Sequence, residues 1–240
     1  MKAVRLSRKI HKWMALIVGI QLFLWALSGF YMVAVHIDII HGDMLVKNMR
    51  QTVGNVTGKK VALSLSMNQI AQRYPKTHTI TLKSLLGNPV YLIKSQSNTD
   101  LLDAETGEQL SPLSRETILK IARYHYAGEG QIRLAEQMDG HPDTELHREP
   151  RSKWRIDFDD GWNSSFYIDP SSGQFIKRRH TLWHIFDFLW MLHIMDYDER
   201  DNVNNTLLQI FSVAGVLFAS SGIWLLFYSF KNSRPIEKTI

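Results

Sequence analysis

Two stretches of this 240-residue chain, Trp13–Val35 and Leu207–Phe230, hold no Asp, Glu, Lys or Arg. As helices rising about 1.5 Å per residue, each reaches about 35 Å, against a bilayer hydrocarbon core of about 30 Å. Each carries a Ser-Gly pair, Ser28-Gly29 and Ser221-Gly222. Small residues at matched depth predict close helix packing. Between these stretches the pattern turns polar and short-ranged. Residues 66–74 read as a short helix opened by a serine, and 79–85, 90–94 and the approach to 101–108 read as strands. Residues 114–124 read as a second helix, and 154–158 and 165–174 as further strands. Asp103-x-x-Thr106-Gly107 and Asp169-x-x-Ser172-Gly173 spell the same turn. In it an Asp bonds the backbone two residues on, and Gly takes a positive φ. A helix followed by antiparallel strands is thus written twice. The Gly-, Glu- and His-rich stretch 125–151 between the two copies reads as a long loop. The run Thr181–Met195 is too short to span and contains Asp187, Trp183 and Trp190. It reads as a helix in the outer membrane interface.

Charge sets the orientation. Residues 1–12 carry Lys2, Arg5, Arg8, Lys9 and Lys12 and no acid, and the other tail carries Lys231, Arg234 and Lys238 against Glu237. The tails hold seven net positive charges of a chain total of +5, which leaves −2 on residues 36–205. A basic balance confined to the membrane flanks points away from nucleic acid and towards both termini being cytoplasmic. The expected organisation is a basic tail 1–12, a transmembrane helix 13–40, a periplasmic domain 41–179, an interfacial helix 180–196, an acidic linker 197–206, a second transmembrane helix 207–230 and a tail 231–240. A bacterial inner membrane fits this plan. The first apolar run is much longer than a signal-peptide core, so it reads as an uncleaved anchor. With no cysteine in the chain, disulfides, thiolate metal sites and iron–sulfur clusters are excluded.

Arg8-Lys9-Ile10-His11-Lys12-Trp13 ahead of a Ser-Gly-bearing span resembles the opening of the PepSY-associated transmembrane family. Leu192-His193 shortly before the last span, with Ser221-Gly222 inside it, resembles that family's closing segment. The two units ending in Asp-x-x-[Ser/Thr]-Gly resemble PepSY repeats. The resemblance implies a membrane α+β fold: two transmembrane helices flanking a periplasmic α+β domain of two PepSY-like helix–antiparallel-strand repeats, plus the interfacial helix. Larger members include inner-membrane ferric-siderophore reductases that carry haem between membrane helices. Members often have four or more spans where this chain has two, so the implied haem b site calls for a homodimer. The resemblance further implies ferric iron or a ferric chelate as substrate, a quinol or cytoplasmic electron donor, and a ferrous iron transporter as recipient. PepSY-like units are also associated with peptidase inhibition and chaperoning, and the second reading is a membrane-anchored binding module without redox activity.

The histidines carry the cofactor expectation, because two neutral imidazoles make a low-spin electron-transfer haem. His36 and His193 are the chosen axial pair, from one protomer or from two. Each has an alternative reading as an interfacial histidine bonded to headgroups or backbone. His184, nine positions from His193, faces the opposite side of its helix and is a reserve ligand beside Asp187. It also fits a wet polar face with His180. His11 is the one inner-edge candidate; it reads as part of a basic anchor or as a ligand paired across a dimer axis. His41 and Asp43 offer imidazole and carboxylate to iron, or form an ordinary Gly-Asp turn. His125, His141, Asp143, Glu145 and His147 form a second, weaker metal-type patch, or simply a solvated loop. No Gly-rich phosphate loop, Gly-x-Ser-x-Gly or His-Glu-x-x-His is present, so nucleotide and hydrolase chemistry lack support.

Overall fold

The computed structural model describes residues 2–47, 65–75, 77–96, 98–139 and 152–231. It divides into two compact units, Ile37–His184 and Met1–His36 with Ile185–Ile240.

In the unit Ile37–His184, helix α2 (Ile37–His41) and a 3₁₀ turn (Asp43–Leu45) precede α3 (Met67–Arg73), β1 (Thr77–Leu85), β2 (Asn88–Ser95) and β3 (Thr99–Asp103). Then come α4 (Arg115–His125), β4 (Gln131–Asp139), β5 (Ser152–Asp159), β6 (Ser165–Ile168) and β7 (Phe175–Arg179). All pairings are antiparallel, in two sheets of order β1-β2-β3 and β4-β5-β6-β7. Helix followed by antiparallel strands therefore occurs twice, as the patterning predicts. Ser66 caps α3 in a reciprocal capping box with Gln69, and Ser114 caps α4 through the Thr117 N–H, each satisfying a donor the first turn leaves open.

The period of two along a strand decides where the core lies. In β2, Val90 and Leu92 face one apolar cluster while Tyr91 and Ile93 face another; in β3, Leu101 and Leu102 divide the same way. The cross-strand partners Leu92–Leu101 and Tyr91–Leu102 keep each face consistent. One cluster lies against α3 through Ile70. The larger one joins the first sheet to α4 (Ile118, Ile121) and to Ile156, Phe158, Phe166, Ile168 and Phe175 of the second sheet. Phe166 meets Phe158 and Phe175 edge-on, at centroid separations of 5.0 and 4.9 Å.

Both Asp turns form as read. Asp103 Oδ1 accepts from the N–H of Glu105 and Thr106, and Asp169 Oδ1 from that of Ser171. Gly107 and Gly173 take φ of 75° and 66° and donate to the carbonyls of Asp103 and Asp169. The expected loop 125–151 is corrected: residues 131–139 form β4, paired with β5 along its length. A register shift between Ile132 and Leu134 breaks the alternation, so the core-facing Ile132 and Ala135 lie three positions apart and the strand signal is hidden. His141, Asp143, Glu145 and His147 lie outside the described residues.

In the unit Met1–His36 with Ile185–Ile240, α1 (Lys2–Ala34) packs against α6 (Thr206–Lys231), and most of α5 (Thr181–Ile194) belongs to it. Helix α1 extends through the basic residues expected as a tail, since Lys and Arg are good helix formers. It stops at Ala34, so the expected helix 13–40 divides into α1 and α2. The inward face of α1 runs through His11, Val18, Gln21, Trp25 and Ser28, while Ile17, Phe23, Phe30 and Val33 stay exposed. Only 17% of the most apolar window of α1, and none of that of α6, is buried. A core helix of a water-soluble protein would be covered, so these apolar faces are ones for lipid.

Phe166→Ala should lower the unfolding free energy of the Ile37–His184 unit by about 3–5 kcal/mol, measured by denaturant titration of the full chain. Burial depresses the pKa of His125 and of His180, the latter further lowered by His184 and Arg178 against the opposing Ile40 and Ile39 carbonyls. Below about pH 6.5 the unfolded chain then binds protons that the fold refuses, so stability is complete above that pH and declines beneath it. The unfolding midpoint should drop from about pH 7.5 to about pH 5.5, with a shallower slope in His125→Phe; a level profile would contradict this assignment.

Candidate functional site

Helix α5 ends at Ile194, so its last carbonyls have no partner within the helix. Two side chains of α1 supply them: Gln21 Nε2 donates to the Leu192 carbonyl (3.3 Å) and Trp25 Nε1 to that of His193 (2.7 Å). Asn205 Nδ2 donates to the Ile194 carbonyl (2.8 Å), and its Oδ1 accepts the Leu208 N–H at the start of α6. This docking brings His193 onto α1, where Nδ1 lies 2.8 Å from the Oγ of the fully buried Ser28. A stack of flat faces continues along α5: Phe186 on Trp190 (6.1 Å) and Trp190 on His193 (6.4 Å, 10° between planes).

Towards the other end of α1 the same motif recurs. His11 Nδ1 lies 2.7 Å from Ser221 Oγ of α6, and its ring stacks on Phe218 at 4.5 Å. A Cβ on Gly222 would sit 3.2 Å from His11 Cε1, so the glycine leaves the ring its place. The serine of each Ser-Gly pair therefore anchors one imidazole through Nδ1. Seventeen residues of α1 separate His11 from Ser28, about 25 Å of helix. Neither Nε2 has a hydrogen-bond partner among the described residues, and neither is sealed away. Sequence patterning assigns these serines to helix packing alone; the missed signal is that each lies level with a histidine from a distant segment.

The remaining candidates are spread out. His36 is exposed, beyond the end of α1. His184 is exposed and meets the Trp183 ring edge-on. Asp187 is ion-paired with Arg200, whose carbonyl accepts from Trp190 Nε1 (3.0 Å). Patterning shows only an acidic run there and misses this arginine. In the other unit, His41 is exposed; its carbonyl accepts from Arg178 Nε (2.7 Å), while the Arg178 guanidinium also pairs with Asp43. His180 is fully buried, with Nε2 3.0 Å from the Ile40 carbonyl. No group of three or more His, Cys, Asp or Glu converges among the described residues.

These two serine–histidine pairs suit a haem. The donors are imidazoles, each fixed at one nitrogen and open at the other, as second-shell bonding of a ligating histidine requires. Flat aromatic faces adjoin both rings, and Gly222 withholds a side chain beside one.

The sequence profile of the PepSY-associated TM region family matches residues 8–239. No curated protein and no solved structure matches the chain. The match covers nearly the whole chain, which therefore belongs to this family of membrane proteins.

Ser28→Ala leaves His193 Nδ1 without its partner and should cost about 1–3 kcal/mol of stability in detergent. Ser221→Ala, at a less buried position, should cost less. Equal, negligible changes in both would contradict the anchoring role.

Proposed function

We propose that this member of the PepSY-associated TM region family is a haem-binding electron-transfer protein of the bacterial inner membrane. Both termini are cytoplasmic, and the Ile37–His184 unit, with its two PepSY-like repeats, is periplasmic. It reduces ferric iron or a ferric chelate, and Fe²⁺ passes to a ferrous iron transporter. The observation that carries this reading is the recurrence of one arrangement at two depths: His11 on Ser221 and His193 on Ser28.

At about 25 Å apart along α1, the two rings serve different depths, and a haem held at either would draw a further imidazole from a second copy of the chain. A homodimer of two-helix chains makes a four-helix bundle, a suitable cradle. Haem b, when bound, supplies single-electron transfer. The chain's own residues do the rest. Ser28 and Ser221 hold Nδ1 and aim Nε2; Trp190, Trp25 and Phe218 wall the rings; α5 closes the outer end. Electrons enter from a quinol or a cytoplasmic donor near His11 and leave near His193. His36, exposed at the end of α1, and His184 are outer-rim reserves. With Asp43 engaged by Arg178, contact with iron in the periplasmic unit falls to the exposed His41.

The test is the optical spectrum of the purified full chain with a pyridine haemochrome assay. A Soret band with sharp bis-histidine α and β bands is expected, with part of the haem lost in His11→Ala and part in His193→Ala. Loss on His36→Ala but not His11→Ala would replace the inner site with the His36–His193 pair between protomers. A folded, colourless preparation from haem-replete cells would overturn the reading in favour of the membrane-anchored binding module.

A further inference from the structure

The two repeats differ at one end of their helices. In the first, α3 has 7 residues and closes on its own Asp turn, with Arg73 donating to the Gly107 carbonyl. In the second, α4 has 11 residues. Aligned on the capping serines Ser66 and Ser114, α4 runs one further turn, which carries Tyr124 and His125. The second Asp turn is instead met from the first repeat, where Lys83 Nζ on β1 donates to the Ser172 carbonyl at 2.6 Å. Between these elements lies a cavity of about 260 Å³.

One side of the cavity is apolar, formed by Leu85, Ile121 and Phe175. It opens beside Tyr124 and Gly87, both exposed. The other side carries Lys83 and His125. Lys83 has three N–H donors and, among the described residues, one hydrogen-bond acceptor, the Ser172 carbonyl. His125 Nδ1 is sealed from solvent without a partner, whereas Nε2 is not sealed. A sealed N–H without an acceptor is costlier than a sealed lone pair, so the ring proton belongs on Nε2, the open nitrogen. Lys83 and His125 thus bring an ammonium and an imidazole N–H to one small, half-apolar cavity. Burial lowers the pKa of both groups; for Lys83 the nearby Asp169 carboxylate opposes this and Lys94 adds to it.

We infer that this cavity between the repeats is a binding site for a small carboxylic acid with a compact apolar body. The carboxylate accepts from Lys83 Nζ and His125 Nε2, and the apolar body rests on Leu85, Ile121 and Phe175. The Gly173 backbone keeps this wall close: a Cβ there would lie 3.0–3.2 Å from Leu113, Leu85 and Ile121 side chains. This site is independent of haem and of the transmembrane histidines.

The experiment is calorimetric titration of the full chain in detergent with 3-methylbutanoate, and with 3-methylbutanamide as the neutral isostere. The acid should bind and the amide should bind at least about tenfold more weakly, since hydrogen bonds to a charged group are the stronger ones. Lys83→Gln should weaken the acid about tenfold and leave the amide unchanged. Leu85→Trp, which fills the cavity without touching either donor, should abolish binding of both, and circular dichroism verifies that each variant is folded. No heat with the acid, equal affinity for acid and amide, or undiminished binding in folded Leu85→Trp would each overturn the assignment.

Discussion

A lipid interior offers no hydrogen bonds, so a polar side chain on a membrane helix is stable only against another group of the protein. The polar residues along the inward face of α1 obey this constraint one by one. Gln21 and Trp25 cap the carbonyl end of α5, Ser28 takes His193, and His11 finds Ser221 on α6. The apolar residues of α1 and α6 turn outwards, an inversion of the usual globular arrangement that lipid permits. Packing of two slim helices and a short third one thus doubles as a device for holding imidazoles at fixed positions. That is why the serine–histidine pairs bear on function and on stability at once: the bond that satisfies Nδ1 also determines where Nε2 points.

The other unit solves the opposite problem, burying apolar surface in water. Its central strand β2 sends alternate residues to two clusters, so one strand organises both the α3 side and the α4 side of the first sheet. The second sheet contributes the aromatic group of Phe158, Phe166 and Phe175. Its outer face keeps the buried Asp157 satisfied by Arg155 Nε (2.9 Å) and Ser165 Oγ (2.7 Å). Tyr126 stacks on Phe158 at 3.8 Å and donates to Asp160 Oδ2; burial and that carboxylate push its phenol up to about 12. Such pairings place polar groups inside without leaving them unsatisfied. Repetition of helix and sheet does not make the halves equal: the last turn of the longer α4 brings Tyr124 and His125 to a cavity between the repeats, whereas the shorter α3 ends with Arg73 on the Gly107 carbonyl.

Much of this was legible in the residues because the signals are local. Two uncharged runs announce α1 and α6. Ser66 and Ser114 mark helix starts, and Asp103 and Asp169 mark turns three and four residues ahead of Thr106-Gly107 and Ser172-Gly173. Strand β4 escaped because its register shift between Ile132 and Leu134 breaks the period of two, and its evidence is its pairing with β5. The face of α5 bearing Phe186, Trp190 and His193 was readable from helical spacing. That His193 would meet Ser28 was not.

Amino-acid order by itself determined the membrane helices, the twice-written helix and strands, the turns and the identity of the imidazoles, since each follows from periodicity or chemistry within a few residues. Tertiary structure alone decided which imidazole meets which serine, across 165 and 210 positions of chain. It likewise decided that Asp43 and Asp187 are occupied by Arg178 and Arg200, and that Lys83 and His125 share a cavity. The reason is physical: a hydrogen bond or ion pair between distant segments depends on how packing orients whole elements, and no local pattern encodes that orientation.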